Sequence, residues 1–202
     1  MRIDLTGTTA LVSGSSRGIG LALAKGLLQA GSRVIIHGRN IDQVKTTALE
    51  LAEETGGETR VSTFDVTDQD AVDRGIADIE QEWGTLDILV NNAGIQRRAP
   101  FTEFTLQDWN DLVATNLTSA FLVSQRVARG MVQRGSGKII NIGSVQSQLA
   151  RPGIAPYSAT KGGIVMLSDD AAPPVEQAAT DRAAPGVSIT VISERLVRAA
   201  TI

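Results

Sequence analysis

The chain has 202 residues, 42% hydrophobic and 20% charged, with a net charge of −3, which suits one compact domain and gives no positive field to gather nucleic acid or an anionic membrane. It has no cysteine and a single histidine, His37, so disulfides, thiolate metal sites and a cysteine nucleophile are excluded and no metal site is expected. Aromatics are too few, at 3%, for a base-stacking surface, no apolar run approaches the roughly 18 residues of a membrane span, and Met1–Leu5 lacks a signal-peptide core, so a cytoplasmic location is expected.

Short β-branched runs alternate with longer helical patterns, the mark of a parallel sheet covered by helices. Residues 8–12 read as the first strand, followed by a glycine-rich turn and a helix from about Arg17 to Ala30, with Ile19, Leu23, Leu27 and Ala30 on one face and Gly31 as its stop. Arg33 to His37 is the second strand, and Asn40, with Gln43 three residues on, caps the next helix. Arg60 to Phe64 makes the third strand, and Thr67-Asp68-Gln69-Asp70 opens the third helix. Leu86 to Val90 is an unbroken apolar strand, as expected when both faces are covered. From Thr105 a long helical stretch, open to a break, runs to Arg134. Gly135-Ser136-Gly137 then turns into a fifth strand, Lys138 to Ile142, and Tyr157 to about Ser168 is helical. The fold class is therefore α/β, a Rossmann-like, doubly wound parallel sheet in a single domain spanning 1–202.

Gly14, Ser16, Arg17, Gly18, Ile19 and Gly20 lie in the turn between the first strand and helix. Glycines there let backbone approach a diphosphate, whose charge is favoured at a helix N-terminus. A turn of this kind also occurs without a ligand, and the Gly-Lys-Ser/Thr of a P-loop is missing. The second strand ends His37-Gly38-Arg39-Asn40 with no carboxylate to take a ribose 2′-hydroxyl. Arg39, with Asn40 beside it and Arg17 in the loop, suits the 2′-phosphate of NADP instead; each arginine on its own is equally a solvated surface residue. His37 reads as a half-buried strand residue and not as a ligand.

Tyr157 and Lys161 stand at i and i+4, on one helix face. A cation near a phenol favours the phenolate, which suits the phenol for acid–base work, although Tyr-x-x-x-Lys alone is a common surface pair. Ser144 follows the fifth strand, and C-terminal strand ends are where open α/β sheets bind ligands.

Ser144, Tyr157 and Lys161, together with the glycine loop and Asn91-Asn92-Ala93-Gly94, resemble the short-chain dehydrogenase/reductase family over residues 5 to about 167. The resemblance implies that Tyr157 exchanges a proton with the substrate oxygen, which Ser144 orients and polarises. Lys161 would hold the nicotinamide ribose and lower the tyrosine pKa, and Asn116 would help hold a relay water. Asn92, Ala93 and Gly94 would line the cofactor, with Asp65 and Val66 at the adenine. Three stretches (92–98, 116–123 and 138–144) are similar to the gluconate 5-dehydrogenase subgroup. That similarity implies a sugar-acid substrate, with Ser144, Tyr157 and Arg97 as contacts, and a homo-oligomer.

The chain departs from the family after about residue 168. The resemblance implies an unbroken helix there, then a strand with a Pro-Gly turn, a substrate cover and a last strand and helix. Instead Pro173-Pro174 should end the helix by about residue 172, and Val187 to Ile192 could add a sixth strand beside the fifth. The family's C-terminal strand and helix are expected to be missing or altered. A shifted reading frame and a working short variant both account for this. The alternative to an active oxidoreductase is thus a catalytically weak NADP-binding or oligomerising protein.

Overall fold

A computed structural model describes residues 3–149, 151–171 and 187–192, with the backbone alone at 169–171. Six strands form one sheet: β1 (Thr9–Val12), β2 (Arg33–His37), β3 (Thr59–Ser62), β4 (Ile88–Asn91), β5 (Gly137–Ile142) and β6 (Val187–Ile192). Their order is β3-β2-β1-β4-β5-β6, and every pair is parallel. The chain winds outward from β1 to β3, then returns to the other side of β1 as β4. A crevice opens at the strand ends where the winding reverses.

Alternation along each strand builds two cores. Leu11, Ile35, Leu89 and Ile139 point to one face, against Ile76 and Ile79 of α3 (Gln69–Trp83) and Val127 and Met131 of α5 (Ser119–Arg134). Ala10, Val12, Val34, Ile36 and Val90 point to the other, against Ala24 and Leu28 of α1 (Gly18–Gln29) and Val44 and Leu51 of α2 (Ile41–Thr55). Each leucine or isoleucine so buried contributes roughly 1.5–3 kcal/mol relative to exposure. The expected caps form: Asn40 accepts the Gln43 amide at 3.0 Å, and Asp68 accepts that of Ala71 at 2.9 Å.

The expected face of α1 is rotated. Gly20, Ala24 and Leu28 are buried, Leu23 and Leu27 flank them, and Ile19 is 66% exposed. The reason is Gly20, which needs the innermost place. A Cβ there would fall against the Gly14 carbonyl oxygen, 2.5 Å from Asn92 Nδ2 and 2.9 Å from Ser15 Cα. Only a glycine lets α1 start this close to the loop it leaves. Gly20→Ala is therefore expected to destabilise the chain by about 1–3 kcal/mol or more, since backbone must move; the urea midpoint checks this.

Other differences are of extent. β3 stops at Ser62, before Phe64, and β4 starts at Ile88, although Leu86 is still buried. The open break in the long helix is a π-helical turn, Ala114–Thr118, between α4 (Leu106–Val113) and α5. α6 is Ala155–Ala171 and starts before Tyr157, with Pro156 in its first turn, where a missing N–H costs nothing. β6 pairs with β5 as expected, in register from Gly137↔Val187 to Ile142↔Ile192. The expectations for Pro173, Pro174 and the residues after Ile192 lie outside the described residues. Among the described residues, no helix is long and apolar enough to cross a membrane.

Candidate active site

A cleft of about 860 Å³ runs along the C-terminal strand ends, from Arg39 and Asp65 at one end to Tyr157 and Lys161 at the other. The glycine loop lies between them. Gly14 and Gly18 have φ of +65° and +59°, a region that side chains rarely adopt. A Cβ on Gly18 would meet nothing within 4 Å, so backbone there faces open space in the cleft. The first amides of α1 have no acceptor within their own helix. The loop thus fits the anionic diphosphate of a dinucleotide.

Flanking strands hold the loop. Ser13 Oγ accepts the amides of Asn92 at 3.0 Å and Ala93 at 3.1 Å, while Asn92 Nδ2 donates to the carbonyls of Ser13 and Gly14. From the other side, the His37 and Ser15 backbones pair at 2.8 Å, and the His37 amide donates to Ser15 Oγ at 2.9 Å. His37 is 2% exposed, which corrects the half-buried expectation: its ring packs on Phe64 at 4.3 Å and bonds the loop. Burial pushes its pKa down to about 4. The sign of this role in the sequence is its place, a lone imidazole following three apolar residues at the end of a strand.

At the Arg39 end, Arg17, Arg39 and Asn40 are exposed and line the cleft with Ser16, Asp65 and Val66. Asp65 accepts the Thr67 amide at 2.9 Å and hydroxyl at 2.7 Å. These bonds hold its carboxyl below the usual carboxylate range, helped by the charge of Arg39. Such a carboxylate stays ionised beside the two arginines.

At the other end, α6 presents Tyr157 and Lys161 to the cleft, the ammonium 5.9 Å from the ring centroid. Lys161 is 7% exposed and donates to Ile142 O at 2.6 Å, and burial pushes its pKa down to about 8. An ammonium has three donors, so others remain for the cleft. Ser144 caps the short turn after β5 and accepts the Gln146 amide at 3.1 Å. Among the described residues, no acceptor takes its proton. Ser144 stands next to the lining residues Ile142 and Gly143 and is not itself part of the lining.

Asn116 lies beneath the cleft wall, 2% exposed, in the π-helical turn. Its carboxamide accepts the Ile95 amide at 2.8 Å and donates to Ile95 O at 2.9 Å and Thr160 Oγ1 at 3.2 Å. It therefore braces the 92–95 loop against the helix that carries Tyr157 and Lys161. Ala93 and Gly94 line the cleft. Arg97 sits at its rim, paired with Asp108 at 3.3 Å and Asp111 at 3.7 Å, and is half exposed.

The strand order, with a glycine turn at its point of reversal, defines a dinucleotide-binding fold of the Rossmann type. Within that class the chain belongs to the short-chain dehydrogenase family, whose model matches residues 8–199. It is similar to the gluconate 5-dehydrogenase of Gluconobacter oxydans, 52% identical over 96% of this chain and 76% of that protein. The 5-keto-D-gluconate 5-reductase of Escherichia coli is 46% identical over 82% of this chain and 65% of its own length. The chain thus spans about two thirds to three quarters of the relatives it matches. A crystal structure of a gluconate 5-dehydrogenase from Burkholderia cenocepacia, in complex with NADP and tartrate, superposes with a TM-score of 0.85 at 46% identity, covering 95% of this chain and 72% of that one.

Proposed function

We propose that the chain moves hydride between NADP(H) and a secondary alcohol or ketone of a sugar acid, with gluconate and 5-keto-gluconate as the pair. The observation that carries this reading is the cleft itself. One end offers arginines and no acid after β2, and the other offers a tyrosine above a buried ammonium. The similarity to gluconate 5-dehydrogenases supports the substrate class, as does the binding of tartrate, a hydroxy acid, by the Burkholderia relative.

The nicotinamide supplies the hydride acceptor or donor, and the protein's part is to bind, orient and move one proton. Tyr157 takes the hydroxyl proton during oxidation and returns it during reduction. Lys161, held at Ile142 O, favours the phenolate form by its charge and offers its remaining donors to the cofactor ribose. Ser144 donates its free proton to the substrate oxygen. Asn116 keeps the loop of Asn92, Ala93 and Gly94 against α6, so that cofactor and acid–base group stay in one geometry. Arg97, at the rim, meets the substrate carboxylate by exchanging part of its pairing with Asp108 and Asp111. Membership of the family supports a homo-oligomeric assembly.

The direct test is the reduced-nicotinamide absorbance during oxidation of a panel of sugar acids, with NADP and NAD compared. Turnover of gluconate with NADP is expected; cofactor binding without turnover of any panel member would favour a binding protein. Arg39→Asp should lose one charge-assisted contact, about 1.5–3 kcal/mol, and erase or reverse the preference for NADP. Equal affinity for both cofactors in the unaltered chain would remove the assignment of Arg39.

A further inference from the structure

We propose that His37 is a positioning residue for the dinucleotide, its imidazole locking the glycine loop to the ends of β2 and β3. The proposal rests on the reading that the cleft takes a dinucleotide. The ends of β3, β2, β1 and β4 lie side by side along this half of the cleft, and the His37 side chain joins the end of β2 to the loops after β1 and β3.

The hydrogen bonds fix its form. The Gly14 amide donates to Nδ1 at 3.3 Å, so Nδ1 must carry a lone pair. The other nitrogen, Nε2, lies 3.1 Å from the Phe64 carbonyl, an acceptor, so Nε2 must carry the proton. That is one tautomer of the neutral ring, with both nitrogens occupied. The ring therefore has no lone pair left for a metal and no proton to exchange with a substrate. Its function is mechanical.

What it holds is the backbone of Gly14, a left-handed position of the loop. The Gly14 carbonyl accepts from Asn92 at 3.1 Å on the β4 side, and the Gly14 amide donates to His37 on the β2 side. Side chains at the end of β2 and just after β4, the two strands flanking β1, thus occupy both polar groups of a residue held at φ +65°. The residues that follow, Ser16 to Ile19 at the start of α1, line the cleft. At its other nitrogen the ring holds the Phe64 carbonyl, directly before Asp65 and Val66 of the cleft wall. One imidazole therefore sets the distance between the diphosphate loop and the adenosine wall. Tyr157 and Lys161 lie at the far end of the cleft, so the ring affects binding and leaves the proton transfer alone.

The chain's single histidine makes the test unambiguous. In the free, 15N-labelled protein near neutral pH, the side-chain nitrogen shifts should report a protonated Nε2 and an unprotonated Nδ1. His37→Phe keeps a ring against Phe64 and removes both bonds. It should speed Gly14 amide exchange in the free chain and raise Kd for NADP and NAD alike by about tenfold, the loss expected for one buried donor left unpaired. The kcat at saturating cofactor should stay within about twofold, since binding and chemistry separate here. His37→Asn restores an acceptor where Nδ1 stood, and should recover Gly14 protection and most of the affinity. Unchanged affinity in His37→Phe, or the opposite tautomer in the unaltered chain, would overturn the proposal. So would equal loss in both variants with Gly14 protection intact, because the ring would then touch the cofactor itself. Should His37→Phe not fold, the tautomer and the asparagine variant still decide. Binding of NAD as tight as NADP would count against Arg39 and leave the clamp standing, whereas binding of neither would overturn the dinucleotide reading and the proposal together.

Discussion

Tyr157→Phe should lower turnover by about a thousandfold, within the range that a positioned acid–base group contributes, while the NADP Kd changes little. The ring stays in place in this variant, so the packing of α6 and the cleft wall are kept, and only the exchangeable proton is lost. Lys161→Ala should behave differently. Its ammonium is buried, bonded to Ile142 O and 5.9 Å from the tyrosine ring, so removing it weakens the phenolate and the ribose contact together. Both kcat and cofactor affinity should fall. Steady-state rates combined with a fluorescence titration of cofactor separate the two patterns. Retained turnover in Tyr157→Phe would assign the proton transfer to another group.

Acid should destabilise the chain, with His37 contributing the part of the slope just below neutral pH. Unfolded, the imidazole titrates near its ordinary 6.5; folded, burial holds it to about 4. Above pH 6.5 neither state holds the proton. Between 6.5 and 4 the unfolded chain takes it up and the native chain does not, so stability falls as pH falls through this window. The loss levels off below pH 4 at about 3 kcal/mol, counting roughly 1.4 kcal/mol per pKa unit. Asp65, whose carboxyl is held below its ordinary value, adds its own loss at lower pH, beneath the histidine window. Urea unfolding at pH 7 and at pH 4.5 measures the difference, and His37→Asn should flatten it. A variant that keeps the full slope would place the acid sensitivity elsewhere.

The two predictions draw on different parts of what the sequence discloses. The candidates Tyr157, Lys161 and Ser144 were legible because the chemistry proposed for them needs particular side chains at particular spacings, and a four-residue step on a helix already puts two of them on one face. The parallel sheet was legible for a similar reason: strands covered on both faces are mostly apolar along their length, and β1, β2 and β4 each carry three consecutive apolar residues, at 10–12, 34–36 and 88–90. The caps at Asn40 and Asp68 are contacts over three residues, so the local sequence contains them whole.

The rest depends on residues that are distant along the chain. Periodicity put Ile19 inside and the structure puts Gly20 there, because the innermost position on α1 is chosen by contact with Gly14 and Asn92 and not by hydrophobicity. The break at Asn116 could be suspected, but the partners of its carboxamide, Ile95 and Thr160, lie 21 and 44 residues away. Arg97 looked free to meet a carboxylate until α4 brought Asp108 and Asp111 beside it. His37 is the largest such case. By sequence it ends a strand; by structure it joins residues 23 and 27 positions away. The sheet, the glycine turn and the candidate reacting groups are readable along the chain, since they follow from local geometry and side-chain chemistry. Which polar groups brace the cleft emerges in the folded chain alone, because a buried donor or acceptor must find its partner wherever the fold brings one within hydrogen-bonding distance.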